Sequence, residues 1–296
     1  MLAEICADTG RPQPTRNPMR VWALSGVERL AFPGGRTAIY KYAAEPFTTE
    51  DRILRAAQKA GVPVPAVLGA IAREDHLGMI IEDLGDEQRT ATDADGVVAA
   101  VALHTAHPAH FLPVLDGEAL AALPGLALGH LKRLRNKGRW EGDTSDIGEM
   151  LDALAGAATK RAEGATTGPW GWVHSEFHPT SLHITTDGWR LLDFARAFIG
   201  PGLLDLASWH GTISDADPDR LRDFMAGYVA AGGHRDTLAE RGGLAAEAWA
   251  LGWHRLWAVE WFIEQALRWI NDPSKDEVYI EAVRRHLTTA VELLEP

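Results

Sequence analysis

Short apolar runs broken by glycine and proline fill the first third of the chain, and longer runs with helical spacing fill the rest. Arg20-Val21-Trp22-Ala23-Leu24 leads through Ser25-Gly26 into Val27-Glu28-Arg29-Leu30-Ala31-Phe32. After Pro33-Gly34-Gly35 comes Thr37-Ala38-Ile39-Tyr40-Lys41-Tyr42. Such runs with turn residues between them predict an antiparallel meander. Thr48 or Thr49 then caps a helix whose apolar stripe is Ile53, Leu54 and Ala57, and Gly61-Val62-Pro63-Val64-Pro65 ends it. Residues 66–71 and 77–81 read as two further strands. From Asp93 the spacing turns helical, and helices are predicted over 93–106, 117–136, 145–163, 218–231, 244–271 and 276–293. One strand-like island interrupts them at Trp172-Val173, Leu182 to Thr185 and Trp189 to Asp193. Asp187-Gly188 is a hairpin turn signal between the last two. The expected organisation is α+β: a small antiparallel β lobe with one helix over residues 18–86, and a mostly helical lobe with an embedded hairpin over 87–296.

The length of 296 residues suits two lobes or one large domain. A formal net charge of −12 argues against nucleic acid as a partner, because its phosphates would be repelled. The same charge is compatible with a cationic acceptor, and it also serves plain solubility. No run approaches the roughly 18 apolar residues of a membrane span, so no membrane partner is expected. Met1 to Asn17 lacks the apolar core of a signal peptide. Cys6 is the single cysteine, which removes internal disulfides and Cys-based metal sites and makes a cytoplasmic setting the default.

The island carries the chemistry. His174-Ser175-Glu176-Phe177-His178-Pro179 precedes the hairpin and Leu192-Asp193-Phe194 ends it. Two carboxylates and a hydroxyl gathered by one short hairpin suit phosphoryl transfer, where one carboxylate orients an acceptor hydroxyl and another holds Mg²⁺ against the phosphates. Other features have plainer readings. His174-x-x-x-His178 and His104-x-x-His107-x-x-His110 have metal-ligand spacing, yet read better as loop-stabilising or surface histidines. Lys132, Arg133, Arg135, Lys137 and Arg139 form a basic run, read as a solvated helix end rather than a clamp for an acidic peptide. Trp253, Trp257, Trp261 and Trp269 share one helical stripe, read mainly as packing, with a subset beside Glu260 and Glu264 able to face a cation.

The stretch His174 to Ser181 resembles the catalytic loop of the aminoglycoside phosphotransferase and choline kinase-like enzymes, which usually reads His-Gly-Asp-x-His-x-x-Asn. Leu192-Asp193-Phe194 is similar to the family's Ile-Asp-Phe/Trp, and Ile199 to Ala207 to its Gly-Asp-Pro-x-x-Asp-Leu-Ala. The resemblance extends over roughly residues 20–210 and implies the two-lobe protein kinase-like fold. It implies that Lys41 binds the α/β phosphates and is held by Glu50. The Glu82 carbonyl and the Leu84 N–H would read the base, and Ser25-Gly26 would stand where a loop covers the phosphates. Glu176 would take the place of the catalytic aspartate and Ser181 that of the metal-binding asparagine. Asp193 would be the main Mg²⁺ ligand, and Asp205 would brace the loop near His174. The implied reaction is Mg²⁺-dependent transfer of the γ-phosphoryl of ATP or GTP to a hydroxyl-bearing small molecule such as an antibiotic or amino sugar. Alternatives are a peptide Ser/Thr kinase of a natural-product pathway and a pseudokinase serving as a binding module. The departures at Glu176, Ser181 and the glycine-poor Ser25-Gly26 are the basis of the last.

Overall fold

The computed structural model describes residues 1–211 and 215–296. They form two compact units, neither contiguous in sequence. The first comprises Met1–Thr92, Ala106–Leu112 and Pro179–Ala197; the second comprises Asp93–Thr105, Pro113–His178 and Phe198–Pro296.

The first unit is built on a five-stranded antiparallel sheet. Its strands are β1 (Thr15–Val21), β2 (Ser25–Ala31), β3 (Thr37–Ala44), β4 (Val67–Arg73) and β5 (His76–Ile81), in the order β1-β2-β3-β5-β4. The first turn falls at Trp22 to Ser25, where Trp22 N–H donates to the Ser25 carbonyl at 2.8 Å. Ser25-Gly26, read from the sequence as the turn, therefore already lies in β2. The reason is packing: Gly26 pairs with Tyr42, and a Cβ on Gly26 would fall 2.3 Å from the Tyr42 ring. β1 is exposed along its whole length. Its Pro18 and the register shift after it suit an edge strand, since both interrupt the pairing that another chain would need.

Two helices join this sheet. α1 (Leu2–Asp8) carries no caps or periodicity that announce it, and seven residues are too few for a helix to hold in water. It forms because Ile5 and Cys6 are buried in one core with Leu30, Phe32, Ala38, Tyr40 and Ile80. α2 (Glu50–Lys59) starts after Thr49 and buries Ile53, Leu54 and Ala57, the expected stripe. The hairpin β7 (Leu182–Thr185) and β8 (Gly188–Leu191) belongs to the same unit. Leu191 N–H donates to the Pro63 carbonyl at 2.8 Å, and Gln88 N–H to the Ile184 carbonyl at 3.0 Å.

The second unit is helical: α3 (Asp93–Thr105), α4 (Gly117–Asn136), α5 (Ser145–Arg161), α6 (Leu203–Ser208), α7 (Pro218–Ala230), α8 (Ala246–Glu264) and α9 (Asp276–Leu294). A two-stranded ribbon pairs β6 (Trp170–Val173) with β9 (Phe198–Pro201). Sequence reading missed β9 and α6, because Gly200-Pro201-Gly202 looks like a break. α8 is buried on nearly every side. Its Trp249 and Trp253 indoles both donate to the Arg161 carbonyl, at 2.7 and 3.2 Å, and so satisfy a carbonyl that the end of α5 leaves unpaired.

The predicted helix 244–271 is α8 plus a π-helical turn, Gln265–Trp269. Arg139 explains that turn. Its guanidinium donates to the Ala266 carbonyl at 2.8 Å and to Asn271 at 2.9 Å, and it grips Asp276 with Nε at 3.0 Å and Nη2 at 2.5 Å. Arg139 is thus buried, and Arg135 donates to the Thr144 carbonyl. The basic run is therefore not a uniformly solvated helix end; Lys132, Arg133 and Lys137 are its exposed members.

Candidate active site

In the first unit, three of the sequence-predicted residues meet at one point. β3 runs antiparallel between β2 and β5 and carries Lys41. Lys41 Nζ lies 2.7 Å from Glu50 Oε2 and 2.5 Å from Asp193 Oδ1. Glu50 opens α2 and is buried. Asp193 follows β8 with φ +69°, a left-handed conformation that Asp tolerates better than most side chains. Its carboxylate is half exposed, whereas that of Glu50 is 1% exposed. Burial works against charge on Lys41, but the Glu50 and Asp193 carboxylates outweigh it and hold the ammonium above its ordinary value. Burial pushes the Glu50 carboxyl up, and Lys41 opposes that rise.

Ser181 ends a 3₁₀ turn, Pro179–Ser181, and is buried. Its carbonyl accepts from Leu192 N–H at 2.8 Å, which closes the base of the hairpin and sets residue 181 opposite the chain that leads into Asp193. The side chains of Ser181 and Asp193 offer oxygen donors only. Among the described residues no group of three or more His, Cys, Asp or Glu could hold a metal ion. Magnesium fits this donor set, because it needs one or two carboxylates and takes its remaining ligands from phosphates and water.

Glu82 continues the sheet. Its N–H donates to the Ala66 carbonyl at 2.9 Å and its Oε2 accepts from Ala66 N–H at 3.2 Å. Leu84 sits in a segment that Arg29 of β2 braces: Arg29 Nε lies 3.0 Å from Asp83 Oδ2, and Asp83 Oδ1 accepts from Gly85 N–H at 3.0 Å. Arg29 and Asp83 were not singled out in the sequence, and no pattern marks them as partners. Ser25 and Gly26 lie in β2 rather than in a loop, as described above.

The second unit gathers the other predicted residues. Asp205, in α6, is fully buried. Its Oδ2 accepts from His174 N–H at 2.7 Å and its Oδ1 from Ser175 N–H at 2.9 Å. His174 Nδ1 in turn accepts from Glu176 N–H at 3.3 Å, so His174 and Asp205 fix the backbone on both sides of Ser175. Phe177 is buried against Trp209, with ring centroids 5.2 Å apart, and anchors the next residue. Glu176 lies between two such anchors and is itself partly exposed. Ser175 is buried with φ +77°, and its hydroxyl has no hydrogen-bond partner among the described residues. It stands where the pattern His-Gly-Asp has glycine, which was the available signal for this strain.

His104, grouped with His107 and His110 by spacing, is no surface histidine. It is buried, and its Nε2 lies 3.3 Å from Asp205 Oδ2. Its Nδ1 lies 3.3 Å from the Tyr228 hydroxyl. Tyr228 was missed altogether, since no motif contains it.

No curated protein matches the sequence. Among solved structures, a putative fructosamine-3-kinase from Haemophilus somnus 129PT is 12% identical, with a TM-score of 0.62, covering 98% of this chain and 96% of that one. A macrolide 2'-phosphotransferase from Brachybacterium faecium is 15% identical, with a TM-score of 0.60 and 95% of each chain covered. An amicoumacin kinase in complex with AMP-PNP, Ca²⁺ and its ligand is 13% identical, with a TM-score of 0.54, covering 93% of this chain and 87% of that one. These likenesses give the protein kinase-like α+β fold. The model of the phosphotransferase enzyme family matches residues 36–244, a span that holds Lys41, Glu50, Glu176, Asp193 and Asp205, and the chain belongs to that family.

Proposed function

We propose that this protein is a small-molecule kinase, transferring the γ-phosphoryl of ATP or GTP to a hydroxyl of its acceptor. The observation that carries the reading is the Lys41 ammonium held at 2.5–2.8 Å by Glu50 and Asp193. Lys41 would bind the α/β phosphates while Glu50 holds it in place. Glu82 and Leu84 would offer their backbone carbonyl and N–H to the base. Asp193 and Ser181 would hold magnesium, which when bound neutralises charge on the phosphates. Glu176 would orient the acceptor hydroxyl and take its proton as the new P–O bond forms and the β–γ bond breaks. A cytoplasmic setting, with nucleoside triphosphate at hand, goes with this reading.

The acceptor class rests on the solved neighbours, which carry the names of sugar, antibiotic and choline kinases. A peptide hydroxyl is the alternative acceptor, for which the exposed Lys132, Arg133 and Lys137 would be the contact. A pseudokinase reading draws on Ser25-Gly26, Glu176 and Ser181, to which the left-handed backbone of Ser175 adds.

Nucleotide binding is the first test. ATP or GTP with Mg²⁺ at a hundred times its dissociation constant stabilises a protein by about 2.7 kcal/mol. The expected outcome is a rise in melting temperature with nucleotide and Mg²⁺ that is absent in Lys41→Met and weakened in Asp193→Asn. No rise with either nucleotide would sink the kinase reading. A rise without transfer of labelled γ-phosphate to any acceptor, amino sugars and Ser/Thr peptides included, would leave the binding module.

A further inference from the structure

The buried aspartate that braces the loop is not the end of the chain of contacts. Behind it stand His104 of α3 and Tyr228 of α7, both buried. The two rings meet edge to face, with centroids 5.5 Å apart. Room is kept for each by a glycine: a Cβ on Gly202 would fall 2.9 Å from the His104 ring, and one on Gly233 would fall 2.2 Å from the Tyr228 ring.

The hydrogen-bond chemistry orders these contacts. The Asp205 carboxylate only accepts, so His104 Nε2 carries a proton towards Oδ2 at 3.3 Å. In the neutral ring Nδ1 is then the acceptor that faces the Tyr228 hydroxyl at 3.3 Å. Asp205 spends its other capacity on the amides of His174 and Ser175. The carboxylate holds the imidazole at Nε2 and the phenolic hydroxyl holds it at Nδ1, so removing the hydroxyl leaves the ring with one partner and able to turn away from Asp205.

We propose that Tyr228 is a positioning residue for the loop that carries Glu176, acting through the His104 ring and Asp205. The proposal rests on the kinase reading only for its effect on turnover; its effect on the loop is independent of any reaction. It also gives α7 a function, because a shift of this helix would be felt at the amides next to Glu176.

The test is Tyr228→Phe, which keeps the ring and removes the hydroxyl. Three readouts are taken on the full chain. Nitrogen-15 shifts of the His104 ring are expected to report a hydrogen-bonded Nδ1 lone pair in the parent and a free one in the variant, with the proton on Nε2 in both. Amide exchange at His174 and Ser175 is expected to quicken by about tenfold, as loss of one hydrogen bond of roughly 1.4 kcal/mol implies. The turnover number should fall by about the same factor with the nucleotide KM unchanged, and in a His104→Ala background Tyr228→Phe should add nothing. An Nδ1–H tautomer in the parent, unchanged exchange at the two amides, or additive losses in the double variant would overturn the proposal. If the parent shows no transfer, the nitrogen-15 and exchange results still decide it, and only the kinase reading falls. Should Tyr228→Phe fold poorly, a free Nδ1 lone pair in the parent would by itself overturn the proposal, and a hydrogen-bonded one supports it.

Discussion

Ser175 shows how one side chain can work against its own backbone. It holds φ +77° where the related loops have glycine, and it buries a hydroxyl without a hydrogen-bond partner among the described residues. A non-glycine residue in that region costs on the order of 1 kcal/mol or more, and an unsatisfied buried hydroxyl adds to it. Replacing it by glycine removes both, against a larger loss of backbone freedom on folding. Ser175→Gly is therefore expected to stabilise the protein by about 1 kcal/mol, seen as a higher urea midpoint with an unchanged slope. An unchanged or lower midpoint would mean that the hydroxyl has found a use. The substitution of Gly by Ser was visible in the sequence, but the strain was not, because φ is set by the Asp205 bonds on its own amide and that of His174. Lys41, Glu50 and Asp193 were legible because each sits in a short recognisable phrase. Tyr228 was not, since its partner His104 lies 124 positions away and no spacing rule links them.

Elements with strong periodicity were readable and those made by context were not. The stripe Ile53, Leu54, Ala57 announced α2, and 117–136 was read at the limits of α4. α1 and β9 exist only because the core beside them accepts them, and Ser25-Gly26 is a strand start because Tyr42 fills the space that glycine leaves. The π-helical turn after α8 depends in the same way on Arg139, which takes the Ala266 carbonyl and Asp276 together. Arg139→Met keeps most of the length and removes the donors. It leaves a mostly buried carboxylate and carbonyl without their partner, at a cost of roughly 3 kcal/mol. Urea unfolding should show that loss, with exchange at residues 265–271 rising first. A loss below 1 kcal/mol would show that the turn stands without Arg139.

Across the molecule, acid stability should reveal the α8–α9 contact. Arg255 can only donate, so the His286 Nδ1 at 3.0 Å must accept and the ring must be neutral. Burial, then the Arg255 charge, pushes both His254 and His286 down to about 3. In the unfolded chain both titrate near 6.5. Below that pH the unfolded state binds protons that the folded state refuses, so stability is full above it and is lost as pH falls towards 3. Two such groups give at most about 4 kcal/mol between pH 7 and pH 5. His254→Gln with His286→Gln should flatten that slope in urea titrations, and an unaltered slope would assign the acid lability elsewhere. No described helix is long and apolar enough to cross a membrane, in keeping with the dispersed polar positions of the sequence.

The two compact units are drawn from alternating stretches of chain, and this bears on how the protein is made. As the chain emerges during synthesis, residues 1–92 supply the five strands and Lys41 long before Pro179–Ala197 supplies the hairpin and Asp193. The growing chain must hold an unfinished sheet unit while more than eighty further residues are added. The lysine spends that interval with Glu50 as its only acidic partner of the final pair. Neither unit is a cassette that recombination could move in one piece: a cut near residue 92 would separate Lys41 from Asp193, and with it the cation from one of the two carboxylates that keep it charged.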